Sequence, residues 1–266
     1  MYLDYWGFTE FPFENVPDPK FFYLSTSHKE ALTRLIYAAQ MRKGGAMLSG
    51  EIGCGKTILS KVYIQRFSGE KYDIALIINP KLESNEFLQE VLYQFGIDHI
   101  PNTKVECLRI LNNRMIDNVR KDKETLLIVD EAQLLNGSTF EEIRLLLNFQ
   151  LNDRFLLTII LLGQPELRGK VKGIEQLNQR IAIKYHLTPF SLEDTLQYVM
   201  FRQKKAGRSE NAFSKEAIQR VFEYTRGVPR KINNFCDLSL LIGFSSKEKK
   251  IEPKLVEAII NDGALF

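Results

Sequence analysis

The sequence predicts an α/β fold, a largely parallel sheet sandwiched by helices, followed by a small all-helical domain. Three observations predict it. Short apolar runs alternate with helical apolar spacing up to about residue 190, two of those runs end in residues suited to polyphosphate, and from Ser191 onward only helical periodicity remains. The expected boundaries are an aromatic arm over 1–27, an α/β domain over 28–190 and a helical domain over 191–266.

The elements follow in order. The first 23 residues contain nine aromatics, interleaved with Pro12, Pro17 and Pro19, which predicts an irregular, extended segment. Such a segment is either an arm packed over the core or a hydrophobic wall beside a nucleotide base. Ser27-x-x-Glu30 has the form of a capping box for a helix whose buried face is Ala31, Leu32, Leu35, Ile36 and Ala39, ended by Gly44-Gly45. Ala46–Ser49 reads as a buried strand, and Ile58, Leu59, Val62, Tyr63 and Phe67 as the apolar face of the next helix. Ile74–Ile78 is a second buried strand, followed by helices from about Ser84 to Phe95 and Val105 to Arg120. Leu126–Val129, Phe155–Leu162 and Ile181–Leu187 supply three further strands, with Thr139-x-x-Glu142 capping a helix after the Asn136-Gly137 turn.

Between the first strand and its helix, Gly50-Glu51-Ile52-Gly53-Cys54-Gly55-Lys56-Thr57 fits G-x-x-x-x-G-K-[ST]. Glycines let successive N–H groups turn inward around an anion, and the helix adds its positive N-terminal end. Lys56 can reach the β and γ phosphates and the Thr57 hydroxyl one Mg²⁺ position, with Gly50 through Ile58 forming the nucleotide cradle. Leu126-Leu127-Ile128-Val129 runs into Asp130 and Glu131 at the carboxyl edge of the sheet, where Asp130 can hold Mg²⁺ and Glu131 polarise a water. Gln164, after the strand ending near Leu162, can sense a γ-phosphate or merely stabilise a turn. Arg180 and Arg230 could each contact phosphate, Arg180 from a neighbouring subunit, or serve as surface or ion-pair arginines.

Composition narrows the class. A chain of 266 residues, 44% hydrophobic and 26% charged, has room for one large domain or two modest ones. Its three cysteines show no C-x-x-C spacing, which argues against a zinc site or disulfide framework. No signal peptide and no run near the ~20 apolar residues of a membrane span is present, so direct membrane insertion is not expected and a cytoplasmic location is. A net charge of +3 is too mild to imply nucleic-acid binding by itself.

The opening Tyr5-Trp6-Gly7-Phe8, Pro12-Phe13, Pro17-Asp18-Pro19, Phe22-Tyr23-Leu24-Ser25 and His28-Lys29-Glu30-Ala31-Leu32 resembles the AAA+ ATPases of the general secretion pathway protein A (ExeA-like) group. Val129-Asp130-Glu131-Ala132-Gln133, Leu162-Gly163-Gln164-Pro165-Glu166-Leu167, Gln179-Arg180-Ile181 and Gly227-Val228-Pro229-Arg230-Lys231-Ile232-Asn233 look like that group's later motifs in the same order. The resemblance implies a P-loop NTPase (AAA+) fold with a helical lid. It makes Lys56 and Thr57 Walker A, Asp130 and Glu131 Walker B, Gln164 the sensor-1 position, Arg180 the arginine finger and Arg230 the sensor-2 arginine. It further implies ATP with Mg²⁺, and an arc or ring of subunits, a hexamer among the ring sizes, with each nucleotide near a subunit boundary. Members of the group continue into a membrane span and a peptidoglycan-binding domain not found in this sequence, compatible with a stand-alone relative or a cytosolic fragment.

The expected function is a Mg²⁺-dependent ATPase that drives assembly or remodelling of a protein partner in secretion or envelope machinery. The second expectation is an ATP-dependent DNA-binding regulator of the transposition type, with Lys81, Arg168, Lys170 and Lys172 lining a positive channel. A small-molecule kinase fits less well, because Glu131 beside Asp130 suits water activation.

Overall fold

A computed structural model of the chain describes residues 2–67, 69 and 71–263. In chain order the elements are α1 (Leu3–Trp6), α2 (Thr26–Gln40), β1 (Gly45–Gly50), α3 (Lys56–Phe67), β2 (Tyr72–Ile77), α4 (Ser84–Gln94), α5 (Lys104–Arg120), β3 (Glu124–Val129), α6 (Gly137–Leu146) and β4 (Leu157–Gly163). Then come α7 (Glu166–Lys172), α8 (Glu175–Arg180), β5 (Ile181–Leu187), α9 (Leu192–Lys205), α10 (Lys215–Thr225), α11 (Pro229–Ser245) and α12 (Pro253–Asp262). Single 3₁₀ turns lie at Pro19–Phe21 and Ala132–Leu134.

The five strands form one parallel sheet in the order β2-β3-β4-β1-β5. Every residue of β1 and β4 is buried, as expected where crossover helices cover both faces of a parallel sheet. Because all strands run the same way, Gly50, Val129 and Gly163 end at one edge, which fixes where the residues after them emerge. The core of this unit joins Met47, Leu127 and Leu161 of the sheet to Phe87 and Val91 of α4, Leu111 and Met115 of α5, and Phe140 and Ile143 of α6.

By internal contacts the chain divides into two compact units. One holds Lys29–Glu51 and Leu59–Leu187, which is the sheet and its helices. The other is discontinuous: the chain up to His28, Ile52–Ile58, and everything from Thr188. In this second unit the N-terminal aromatics are structural. Trp6, Phe8, Phe13 and Phe21 are buried with Phe190, Val199, Phe213, Phe235 and Leu240 of the helical region. The Trp6 indole N–H donates to the Leu240 carbonyl at 2.9 Å, and Gly243 admits the ring because a Cβ there would lie 3.0 Å from its Cζ2. Arg202, buried on α9, donates to the carbonyls of Pro12 and Glu14, which ties the irregular strand of the arm down without secondary structure.

Local differences from the sequence reading have physical causes. The arm includes one short helix, α1, closed by Gly7 at φ 71°, because the prolines begin only at Pro12. Helix α2 begins one residue before Ser27, and the Ser25 hydroxyl accepts the His28 N–H, so Ser25 is the cap. Likewise Asn136 caps α6 by accepting the Thr139 N–H at 2.8 Å, placing Thr139 inside the first turn.

Trp6→Ala removes a fully packed ring and its indole hydrogen bond to the Leu240 carbonyl. It is expected to cost about 3–5 kcal/mol, measured as a shift of the urea midpoint, whereas truncating the exposed Val16 should leave the midpoint nearly unchanged.

Candidate functional site

The phosphate loop is built by close approach. Gly50 ends β1 against β5, where a Cβ would lie 2.8 Å from the Leu187 carbonyl oxygen. Gly53 and Gly55 have φ of 82° and 92°, the left-handed region that glycine adopts without strain. A Cβ at Gly53 would lie 2.7 Å from the Cβ of Arg230, and one at Gly55 would lie 2.9 Å from His28 Nε2. The loop is therefore gripped by two side chains of its own unit. Lys56 is buried at the first position of α3, with Thr57 next to it, so the loop feeds directly into a helix N-terminus.

Arg230 stands at the start of α11, behind Pro229 at the first helical position, and its backbone N–H donates to the Gly53 carbonyl at 3.2 Å. Gly227 makes this possible. Its φ is 73° and a Cβ would lie 2.1 Å from the Phe190 carbonyl oxygen, so the turn into α11 lies against the segment before α9.

His28 was only one letter of the N-terminal motif in the sequence, and the structure gives it a role. Its Nε2 lies 3.0 Å from the Cys54 carbonyl, which can only accept, so Nε2 carries the proton. Nδ1 then accepts from Ser25 Oγ at 2.7 Å. The ring is buried against Phe22 and Phe190, and this burial pushes its pKa down to about 4 against the raising pull of the Cys54 carbonyl and Asp194. At neutral pH it is an uncharged donor that fixes the loop backbone.

In the sheet unit, Asp130 follows β3 and is buried. Its N–H donates to the Ile77 carbonyl, and its Oδ1 accepts the Glu131 N–H at 2.9 Å. Glu131 sits at φ 51°, ψ 34°, a left-handed conformation that costs a non-glycine residue about 1 kcal/mol or more. Its Oε2 accepts from Gln133 Nε2 at 2.5 Å and from Gln164 Nε2 at 3.4 Å. Thus Asp130, Glu131 and Gln164 come together, with Glu131 and Gln164 joined by Gln133, which in the sequence was only the last letter of the Val129–Gln133 motif and had no role assigned to it. Lys170, on α7, donates to the carbonyls of Gln133 and Leu135 at 2.6 and 3.1 Å, so its ammonium is committed to the 3₁₀ turn.

Arg180 lies elsewhere. It precedes β5 and donates to the Leu147 carbonyl at 2.9 Å, beside Gly45 at the start of β1. At about 3.3 Å per strand residue it is roughly 20 Å from the carboxyl edge. It lines an open depression of about 1030 Å³ with Arg42, Lys43, Arg154 and Phe155.

A glycine loop entering a helix N-terminus and a buried aspartate at a parallel-sheet edge are joined by a family match: a model described as AAA domain covers residues 39–171. The chain belongs to the AAA+ family. Over 254 residues, 94% of this AAA+ chain, it is 35% identical to General secretion pathway protein A of Aeromonas hydrophila, of which the match covers 46%. It is 26% identical over 159 residues, 59% of the chain, to the ATP-dependent target DNA activator B of Escherichia phage Mu, again covering 46% of that protein. The chain thus spans about half the length of these curated relatives. Among solved structures, the Aeropyrum pernix ORC2 protein in its ADPNP-ADP complexes aligns with a TM-score of 0.70 at 17% identity, over 94% of this chain and 71% of that one, a likeness of fold. The AAA+ fold implies a bound nucleotide, and the positive-φ glycines, the buried Lys56 and the Thr57 hydroxyl fit one. Mg²⁺ in such sites takes one or two protein oxygens plus phosphates and water, and the Thr57 hydroxyl in one unit and the Asp130 carboxylate in the other are each oxygen donors of that kind.

The burial of neutral His28 has a pH signature. An unfolded imidazole takes up its proton near pH 6.5 and the folded one only near 4, so the unfolded state binds more protons between those values. Stability should be full above pH 6.5 and fall by up to about 3 kcal/mol as pH drops toward 4. Urea unfolding at stepped pH is expected to show this slope in wild type and to lose it in His28→Gln.

Proposed function

We propose that this chain is a Mg²⁺-dependent ATPase in which ATP is held by Gly50 through Ile58 and hydrolysed with help from a neighbouring subunit, the cycle driving assembly or remodelling of a protein partner. The single observation that carries the shared site is the placement of Arg180. An arginine at the amino edge of the sheet, beside an open depression and roughly 20 Å from its own phosphate-loop edge, is suited to another subunit's nucleotide rather than its own. An arc or ring of subunits, six in a closed hexamer, repeats that contact.

In this reading the backbone of the glycine loop and Lys56 bind the β and γ phosphates, and Arg230 approaches from the start of α11. Thr57 and Asp130 would hold Mg²⁺, which would supply charge neutralisation at the phosphate oxygens. Glu131 takes a proton from a water whose oxygen bonds to the γ-phosphorus. The bond to the β–γ bridging oxygen breaks, and ADP and phosphate leave. Gln164 orients that water or reads the γ-phosphate. Relatedness to General secretion pathway protein A supports a partner in secretion or envelope machinery. The proposed site of action is cytoplasmic; among the described residues no helix is long and apolar enough to cross a membrane.

A second reading, an ATP-dependent DNA-binding regulator, is favoured by the relation to the Mu target DNA activator. Lys81, Arg168 and Lys172 are exposed and available to phosphates, but Lys170 is engaged with backbone carbonyls.

ATP turnover across a protein-concentration series separates these ideas. Lys56→Ala is expected to lose nucleotide binding. Glu131→Gln should bind ATP with turnover down at least about 100-fold, and Arg180→Ala should lose about 1000-fold together with the rise in specific activity at high concentration. Flat specific activity indifferent to Arg180 would overturn the shared site. A salt-sensitive jump on adding duplex DNA would promote the second reading.

A further inference from the structure

Strands β3 and β4 are neighbours paired in register up to Val129 and Leu161, and beyond their ends a single buried side chain bridges them. Gln133 Oε1 accepts the backbone N–H of Gln164 at 3.0 Å, while its Nε2 donates to Glu131 Oε2 at 2.5 Å. The backbone N–H leaves no choice of amide orientation: the oxygen must face Gln164, so the nitrogen must face the carboxylate. Two further features hold this side chain in place. Gly163 has no Cβ, and one would lie 2.7 Å from Gln133 Oε1. Lys170 fixes the turn carrying Gln133 through two backbone carbonyls.

We propose that Gln133 is the positioning residue for Glu131, clamping one carboxylate oxygen to the end of β4 so that the other faces the attacking water. Both amides, those of Gln133 and Gln164, fall on Oε2, which assigns the proton-accepting role to Oε1. The same clamp carries a shift of Gln164 to Glu131 through one side chain. A carboxylate in a strained left-handed residue has little else to fix its direction, and a misplacement of about 1 Å can cost about 100-fold in rate. The inference rests on the proposed role of Glu131 in water activation.

The test compares Gln133→Ala, Gln133→Glu and Glu131→Gln in the full chain, measuring nucleotide affinity, kcat at saturating ATP across pH, and thermal midpoint. Gln133→Ala is expected to lower kcat about 100-fold with ATP affinity within about threefold of wild type. Gln133→Glu keeps the oxygen that meets the Gln164 N–H but sets a second carboxylate against Glu131. The acid limb of its kcat profile should therefore move to higher pH by about one unit or more, with affinity and thermal midpoint retained. Wild-type kcat and pH profile in both Gln133 variants, with Glu131→Gln inactive, would overturn the clamp and leave the role of Glu131 standing. Wild-type turnover in Glu131→Gln would overturn both. Parallel losses of kcat, affinity and thermal midpoint in both Gln133 variants would reduce Gln133 to a structural prop.

Discussion

The seating of β1 between β4 and β5 is the constraint on which the rest of the molecule depends. Both faces of β1 are covered, so a slip of one residue would exchange every side chain between two packed layers. Its terminal glycines tighten that register further, because a Cβ at Gly45 would lie 2.7 Å from Ile181 Cδ1 and one at Gly50 would lie 2.8 Å from the Leu187 oxygen. With β1 fixed, the parallel ladder sets the ends of β3 and β4 at the same edge. The candidate site residues need only be the next ones along the chain: Asp130 after Val129, Gln164 after Gly163, and the glycine loop after Gly50.

Electrostatic roles divide by burial rather than by residue type. Lys56 is buried at the start of a helix, whereas His28 is buried against Phe22 and Phe190, where burial holds the ring neutral and its one N–H meets the Cys54 carbonyl. The loop thus receives its positive charge from Lys56, the helix end and Arg230, and its rigidity from a neutral imidazole. Lys170 illustrates the converse. A lysine on a short exposed helix looks available to any anion, yet its ammonium is occupied by two carbonyls that would otherwise lack a strong donor.

The architecture was legible in the sequence because it rests on local patterns. All five strands overlap the segments read as strands, although β2 at the sheet edge is only partly buried and ends at Ile77 with Ile78 exposed, and the G-x-x-x-x-G-K-[ST] spacing marks a loop in which Gly53 and Gly55 adopt positive φ. The pairing of Asp130, Glu131 and Gln164 followed from placing each at a strand end. What the sequence concealed depends on distant partners. Gln133 is one glutamine in a turn until the β4 backbone arrives beside it, and His28 is one helical residue until Cys54 does. The helix starts at Ser25 and Asn136 were hidden for a different reason: several capping residues stand in succession there, and tertiary contacts choose among them.

The second unit is assembled from the chain's first segment, seven residues of the phosphate loop and the region from Thr188 onward. During synthesis, Trp6 and Phe13 emerge long before α9 and α11 exist to bury them, and Gly53 waits for Val228 and Arg230. Until those late helices arrive, a row of large aromatics remains exposed on the nascent chain and the loop lacks one side of its grip. The grip on the loop is therefore completed only once the region from Thr188 has been made, and a chain stopped before that region would carry its sheet residues together with a sticky, unsatisfied N-terminal segment.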